Sequence, residues 1–194
     1  RAFPTQSYNL VNDAIAYAAD PSVKVVVVGA AWTKYFGPES TYCIKDQRSG
    51  SCLFLNASSG AHAAFVSLET MLSQLNAMGK RVYLLLNIPF GEAMDPKGMV
   101  NRSIHSGYAF FDIHKRELND ADILKYKFID EGLTEAAEKT NTTVIDPKKY
   151  LCSNGKCPST TEHGDPIYKD AMHLRPTFVR NHINFLDQIM LSVS

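Results

Sequence analysis

The chain has 194 residues and a formal net charge of zero, with 20 lysines and arginines against 20 aspartates and glutamates. A neutral chain lacks the basic surface that binds nucleic acid or an anionic membrane, so we expect neither partner. The longest apolar run, from Val23 to Trp32, is interrupted by Lys24 and is too short to span a bilayer. The length favours a single domain over residues 1–194.

Helical and strand patterns alternate along the chain. The predicted elements are a helix over residues 7–19, a strand over 23–29, a helix over 61–78, a strand over 82–88, a helix over 120–139, a strand over 142–145, a hairpin over 161–168 and a closing helix over 176–192. Residues 89–112 are expected to be irregular. This order predicts an α/β fold with a parallel sheet and helices on both faces.

The helix predicted over residues 61–78 has the clearest amphipathic pattern. Ser59 is placed to cap its N-terminus, and Gly79 suits the C′ position after its end. Its apolar face consists of Phe65, Leu68, Leu72 and Leu75. In the helix predicted over 120–139, Gly132 is a candidate point of interruption.

Four cysteines occur as two close pairs, Cys43 with Cys52 and Cys152 with Cys157. Each pair brackets a polar, glycine-containing stretch, which favours two short-range disulfides in loops and an oxidising compartment. A four-cysteine zinc site is the alternative, although neither pair has the spacing of about two to four residues that such sites favour. The sequence leaves the pairing open.

Asp170 and His173, in the stretch Asp170-Ala-Met-His173, are the candidate catalytic residues. A carboxylate bonded to an imidazole fixes its tautomer and stabilises the imidazolium that forms when the histidine takes a proton. The alternative is an aspartate that caps a helix beside a surface histidine. No segment of the sequence has the pattern of a nucleophilic serine on a tight turn after an apolar strand, so the pair predicts a base and its orienting residue without their nucleophile.

The loops after Gly29 and Ile88 follow the carboxyl ends of predicted parallel strands, where sites form in α/β sheets, so we expect them to line the site. Trp32, the single tryptophan, lies in the first of these loops. Its ring is a candidate for stacking on a bound sugar, and packing in the core is the alternative.

The chain resembles the SGNH/GDSL hydrolase superfamily, and in particular the SGNH-like domain at the C-terminus of acyltransferase-3 membrane proteins. Four stretches are similar to that group: Val25 to Trp32, Leu68 to Pro89, Cys152 to Pro158 and Asp170 to Leu174. Together they cover most of residues 23–185. The resemblance implies a three-layer α/β/α flavodoxin-like sandwich in which His173 and Asp170 belong to a Ser-His-Asp triad.

Two blocks of the superfamily do not occur in this sequence. Gly-Asp-Ser, which includes the nucleophile, is absent, so we expect it to lie with the first strand upstream of Arg1, in a longer membrane protein of which this chain is a fragment. Where the superfamily has Gly-x-Asn-Asp, this sequence has Gly29-Ala-Ala-Trp32, so no oxyanion-hole asparagine can be assigned.

The resemblance also implies a function. It points to O-acylation, most often O-acetylation, of a bacterial cell-envelope polysaccharide or related glycan, with the acyl donor delivered by a membrane-embedded domain. The chain would lie on the periplasmic, extracytoplasmic side of the inner membrane, would need no cofactor or metal, and would be inactive alone. Two alternatives remain: a carbohydrate or lipid esterase that uses water as the acceptor, and a non-catalytic glycan-binding module.

Overall fold

Helices and strands alternate in the computed structural model, which describes residues 5–46, 48–103, 107–110, 117–118 and 124–191. The α-helices are α1 (Thr5–Ala18), α2 (Trp32–Phe36), α3 (Ser58–Ala77), α4 (Lys127–Lys139), α5 (Lys148–Leu151), α6 (Pro176–His182) and α7 (Asp187–Leu191). The strands are β1 (Val25–Gly29), β2 (Cys43–Lys45), β3 (Cys52–Phe54), β4 (Arg81–Leu85), β5 (Val100–Ser103), β6 (Gly107–Phe110), β7 (Glu117–Leu118), β8 (Thr143–Ile145) and β9 (Cys157–Pro158).

Three strands form a parallel sheet in the order β1-β4-β8. Gly29 pairs with Leu85, and Leu85 pairs with Ile145, so the three carboxyl ends stand side by side. β4 is shorter than the predicted strand because β8 ends at Ile145, whose carbonyl accepts a last hydrogen bond from the Leu86 N–H. The parallel sheet and its helices confirm the predicted α/β class and agree with a flavodoxin-like three-layer fold.

The chain forms two compact units, each with its own core. Unit 1 comprises Arg1–Asn87, Tyr126–Ile145 and Ile189–Ser194, and unit 2 comprises Ile88–Lys125 and Asp146–Gln188. The core of unit 1 includes Leu72, Leu75, Leu84, Ile129 and Leu133, and that of unit 2 includes Met94, Leu118, Cys157, Ile167 and Tyr168. The single domain expected from the length stays a prediction. In the part of the chain that the structure describes, none of the helices combines the length and the apolar character needed to cross a bilayer.

Helix α3 confirms the predicted apolar face, since Leu72 and Leu75 are buried and Phe65 and Leu68 pack against the same core. Gly79 has a positive φ of 75° directly after the C-cap, as predicted for the C′ position. The predicted capping role of Ser59 is wrong. The helix begins at Ser58 with Ala57 at the N-cap, so Ser59 already lies inside the first turn.

Helix α4 passes through Gly132 without a break, so the predicted interruption is wrong. The glycine serves a close approach: a Cβ at this position would overlap the ring of Phe65. That ring is stacked on Phe36, with 4.8 Å between the ring centroids and 15° between the planes. The absent side chain therefore lets α4 lie against α3. Residues 119–123, where the predicted helix begins, lie outside the described residues.

Two segments predicted as loops contain paired strands. The first cysteine pair lies in the hairpin β2–β3, whose turn closes through hydrogen bonds from the N–H groups of Arg48 and Gly50 to Asp46. The stretch 89–112, predicted as irregular, contains the antiparallel pair β5–β6 after two short 3₁₀ turns, Glu92–Met94 and Pro96–Met99.

The predicted closing helix is divided into α6 and α7. The backbone is extended at Ile183, and Phe185 is buried with its ring 5.3 Å from the ring of Tyr150. The extended backbone at Ile183 interrupts the helix. The break coincides with the packing of the Phe185 ring on the ring of Tyr150.

Candidate active site

A short hairpin in unit 2 holds Asp170 and His173 at its tip. At its base the Arg175 N–H donates to the Ile167 carbonyl, and Tyr168 pairs with Leu174 in antiparallel register. Tyr168 is 1% exposed, and this burial raises the pKa of its hydroxyl, so the hairpin is anchored in the core by a neutral tyrosine. The residues from which the tip projects are therefore held in place by burial and hydrogen bonds.

Asp170 binds both the backbone of the tip and the imidazole. Its Oδ1 accepts hydrogen bonds from the N–H groups of Met172 and His173, each at 2.9 Å. His173 Nδ1 lies 2.8 Å from Oδ1 and 3.0 Å from Oδ2. The bond from the Met172 N–H, together with the bonds from His173, holds the pKa of Asp170 below its usual range against a smaller opposing effect of desolvation.

The ionised carboxylate determines the tautomer of His173. Because a carboxylate only accepts hydrogen bonds, Nδ1 must donate, which leaves the lone pair of Nε2 as the basic position of the neutral ring. The His173 side chain is 67% exposed and that of Asp170 is 35% exposed. Within the described residues the hydrogen-bond partner of the ring is Asp170. An exposed imidazole held in this orientation has the chemistry to accept a proton from a neighbouring hydroxyl.

The loop after Ile88, predicted to line the site, reaches this hairpin. The Gly91 N–H donates to the Ala171 carbonyl at 2.8 Å, which fixes the tip from the side. Met172 occupies a variable position of the Asp-x-x-His motif, and Gly91 lies outside it. An aspartate side chain often binds the backbone N–H two residues later in a turn, so the bond to Met172 could be predicted from the sequence. Nothing in the sequence places Gly91 beside Ala171.

Trp32 lies in unit 1, where it begins α2. It is 8% exposed, and its indole N–H donates to the Leu85 carbonyl at 2.8 Å, at the carboxyl end of β4. Its neighbours belong to the core of unit 1. This burial favours the packing alternative over stacking on a sugar.

The four cysteines form the disulfides Cys43–Cys52 and Cys152–Cys157, as the spacing favours. Their sulfurs are therefore not free to bind zinc. Within the described ranges, no group of three or more histidine, cysteine, aspartate or glutamate side chains is placed to hold a metal ion. Cys157 is fully buried, and two residues later the Ser159 carbonyl accepts a hydrogen bond from Ile167, so the second disulfide adjoins the base of the Asp170–His173 hairpin.

A protein-family model described as the SGNH domain (fused to AT3 domains) matches residues 2–186 of the chain. No curated protein matches the chain significantly. The matched range contains the parallel sheet, both disulfides and the hairpin that bears Asp170 and His173.

Proposed function

The chain belongs to the family of SGNH domains that are fused to AT3 domains, and on that premise we propose that it transfers acyl groups to the hydroxyls of a cell-envelope glycan. At the coarser level it is an SGNH-type acyltransferase or esterase module. The observation that carries the proposal is the contact between Asp170 and His173 Nδ1, which leaves Nε2 as a base on an exposed ring.

In the first half-reaction His173 acts as the general base. Nε2 takes the proton from a serine hydroxyl while the serine oxygen bonds to the acyl carbon of the donor, and the leaving group departs with the proton that the imidazolium returns. Asp170 orients the ring and stabilises the imidazolium. The product is an acyl-serine ester.

In the second half-reaction a sugar hydroxyl gives its proton to Nε2 and bonds to the acyl carbon. The serine oxygen leaves and regains a proton from the imidazolium, so the base is restored. The serine belongs to a Gly-Asp-Ser block, which these 194 residues do not contain. The proposal therefore requires a serine from another part of the complete protein.

The proposed setting is the outer face of the inner membrane of a bacterium, where a membrane-embedded acyltransferase domain supplies the acyl group. The family description supports such a partner domain, because its members are fused to AT3 domains. The two disulfides support an oxidising compartment, since such bonds rarely persist in the cytosol.

The test uses the complete protein in its own cells. We replace His173 with alanine and measure the ester content of the envelope glycan by NMR, with His62→Ala as the matched control because His62 is an exposed histidine of unit 1. The expected result is loss of the ester in His173→Ala and an unchanged level in the control. Unchanged acylation in His173→Ala would overturn the enzymatic proposal.

The esterase alternative uses the same two residues with water as the acceptor. Purified complete protein incubated with an acyl donor and glycan distinguishes the two reactions by product. Acylated glycan supports transfer, whereas free carboxylic acid with no acylated glycan assigns the protein to the esterases.

A further inference from the structure

Unit 2 contains a cleft of about 430 Å³ that is separate from the Asp170–His173 pair. This volume lies in the range of about 300–1,000 Å³ that is typical of small-molecule sites. Twelve residues line it, and neither member of the pair is among them. The less exposed residues that line it, here called its floor, include Leu151, Thr160, Ile167 and Ile183, three of which are apolar.

Tyr150 and Phe178, which also line the cleft, have aromatic rings. Tyr150 is 53% exposed, and the centroid of its ring lies 5.3 Å from that of the buried Phe185. Phe178 is stacked on His182, with 4.9 Å between the ring centroids and 22° between the planes. Rings that already pack against a neighbouring ring lose little freedom when a flat apolar surface packs on them.

Three exposed polar residues that line the same cleft, Glu162, His163 and Asn184, are here called its rim, and together they present hydrogen-bond donors and acceptors. An apolar floor, aromatic rings and a rim of amide, carboxylate and imidazole groups suit a pyranose ring, which has an apolar C–H face and a polar hydroxyl edge. An acyl chain would use the floor but would make no hydrogen bond to the rim.

The cleft is linked to the hairpin by the chain itself. Ile167, in its floor, accepts the hydrogen bond from Arg175 that closes the hairpin base. Phe178 and His182 lie on α6, which begins three residues after His173. A ligand in this cleft is therefore held by the same elements that position the base.

We propose that this cleft is a glycan subsite, which binds pyranose residues of the acceptor while the hydroxyl to be acylated approaches His173. The inference rests on the proposed function for the identity of the acceptor. The binding itself is a separate property and is measured separately.

Binding is tested by NMR on the complete ¹⁵N-labelled protein in detergent micelles, with a tetramer of N-acetylglucosamine and maltotetraose as glycan probes and sodium hexanoate as an acyl-chain probe. We expect at least one oligosaccharide to shift the amide signals of Tyr150, Glu162 and Asn184. Shifts caused by hexanoate alone would assign the cleft to an acyl chain, and no shifts with any probe would show that it is not a binding site. Either result overturns the proposal.

The variant Tyr150→Ala is expected to weaken oligosaccharide binding about 5–10-fold, and Tyr150→Phe should retain most of it because the ring remains. Tyr17→Ala is the matched control, since Tyr17 is an exposed tyrosine of unit 1. Asn184→Ala removes a rim group without touching the buried Phe185, and it should also weaken binding. Equal affinity in Tyr150→Ala, Asn184→Ala and the control would overturn the proposal.

In the complete protein, Tyr150→Ala should raise the KM for the glycan about 5–10-fold and leave labelling by a serine-reactive fluorophosphonate unchanged. If His173→Ala abolishes acylation while Tyr150→Ala leaves the KM unchanged, the cleft proposal fails and the proposed function stands. If oligosaccharides bind the cleft but His173→Ala has no effect on acylation, the proposed function fails and the subsite stands.

Discussion

Both carboxylate oxygens of Asp170 lie within hydrogen-bond distance of His173 Nδ1, at 2.8 and 3.0 Å, and one of them also accepts two backbone N–H groups. The backbone of the hairpin tip therefore orients the carboxylate independently of the ring. Since the carboxylate then orients the imidazole, this chain of contacts determines which nitrogen is basic. The first two predictions follow from it.

Replacement of Asp170 by asparagine should lower kcat roughly 10²–10⁴-fold in the complete protein with little change in KM. The amide oxygen can still accept the backbone N–H groups, so the tip keeps its shape. The negative charge that stabilises the imidazolium is lost, and an amide NH₂ beside Nδ1 favours the wrong tautomer. Steady-state acyl transfer is the measurement, with His62→Ala as control, and a decrease smaller than about threefold would contradict the assigned role.

The carboxyl group of Asp170 should titrate with a pKa below the ordinary value of about 4. A carboxyl group whose pKa is lowered by folding stabilises the folded state at pH values above the unfolded pKa, and this contribution is lost as the pH falls through the folded pKa. The Met172 N–H is the largest cause, so the pKa should stay lowered in His173→Ala. A ¹³C NMR titration of the side-chain carboxyl carbon checks this, and a midpoint at or above the ordinary value would refute it.

Gly132→Ala should destabilise the protein by up to about 2 kcal/mol. Alanine gains about 1 kcal/mol of helix propensity over glycine. Overpacking in a core costs about 1–3 kcal/mol, and we expect it to prevail here because a Cβ at this position would overlap the Phe65 ring, which is stacked on Phe36. Urea unfolding measures the difference.

A matched control for this prediction lies on the same helix. Glu138 is exposed, so Glu138→Ala should change the free energy of unfolding by less than about 0.5 kcal/mol. Adding Phe65→Leu to Gly132→Ala should recover part of the lost stability. A stabilised Gly132→Ala variant would show that the Phe65 ring does not fill the space beside Gly132.

Removal of the Cys152–Cys157 disulfide by paired alanine substitutions should lower both stability and acyl transfer, whereas removal of Cys43–Cys52 should lower stability alone. Chain entropy predicts about 2–3 kcal/mol for either short loop. The difference arises because Cys157 is buried close to Ser159, whose carbonyl holds the hairpin base, while Cys52 is exposed in unit 1. Equal activity of the two variants below their melting temperatures would contradict this link.

The elements that could be predicted are those whose signals are local. The apolar face of α3, the strand β1 and the preference for disulfides between nearby cysteines depend on residues within a few positions of one another. The contact between Asp170 and His173 belongs to the same class, because a separation of three residues in a tight turn brings the two side chains together. Periodicity and short spacing report such interactions directly.

The unpredicted features depend on partners that are distant in the sequence. Gly132 is tolerated inside α4 because Phe65 of α3 fills the space, and the closing helix breaks where Phe185 meets Tyr150. Glycine propensity and helical periodicity take no account of contacts with residues that are distant in the sequence. Each therefore predicted the wrong local structure at these positions.

The sequence by itself determined the α/β class and the Asp-x-x-His motif and favoured two short-range disulfides, since these rest on hydrophobic period and short spacing, and the structure then fixed the cysteine pairing. Only the tertiary structure decided that Trp32 is buried, that the Gly91 N–H steadies Ala171, and that aromatic and polar side chains surround a cleft next to α6. The reason is physical. Burial and cleft formation arise when distant segments come together on folding, and the sequence of one segment does not identify the partner that it will contact.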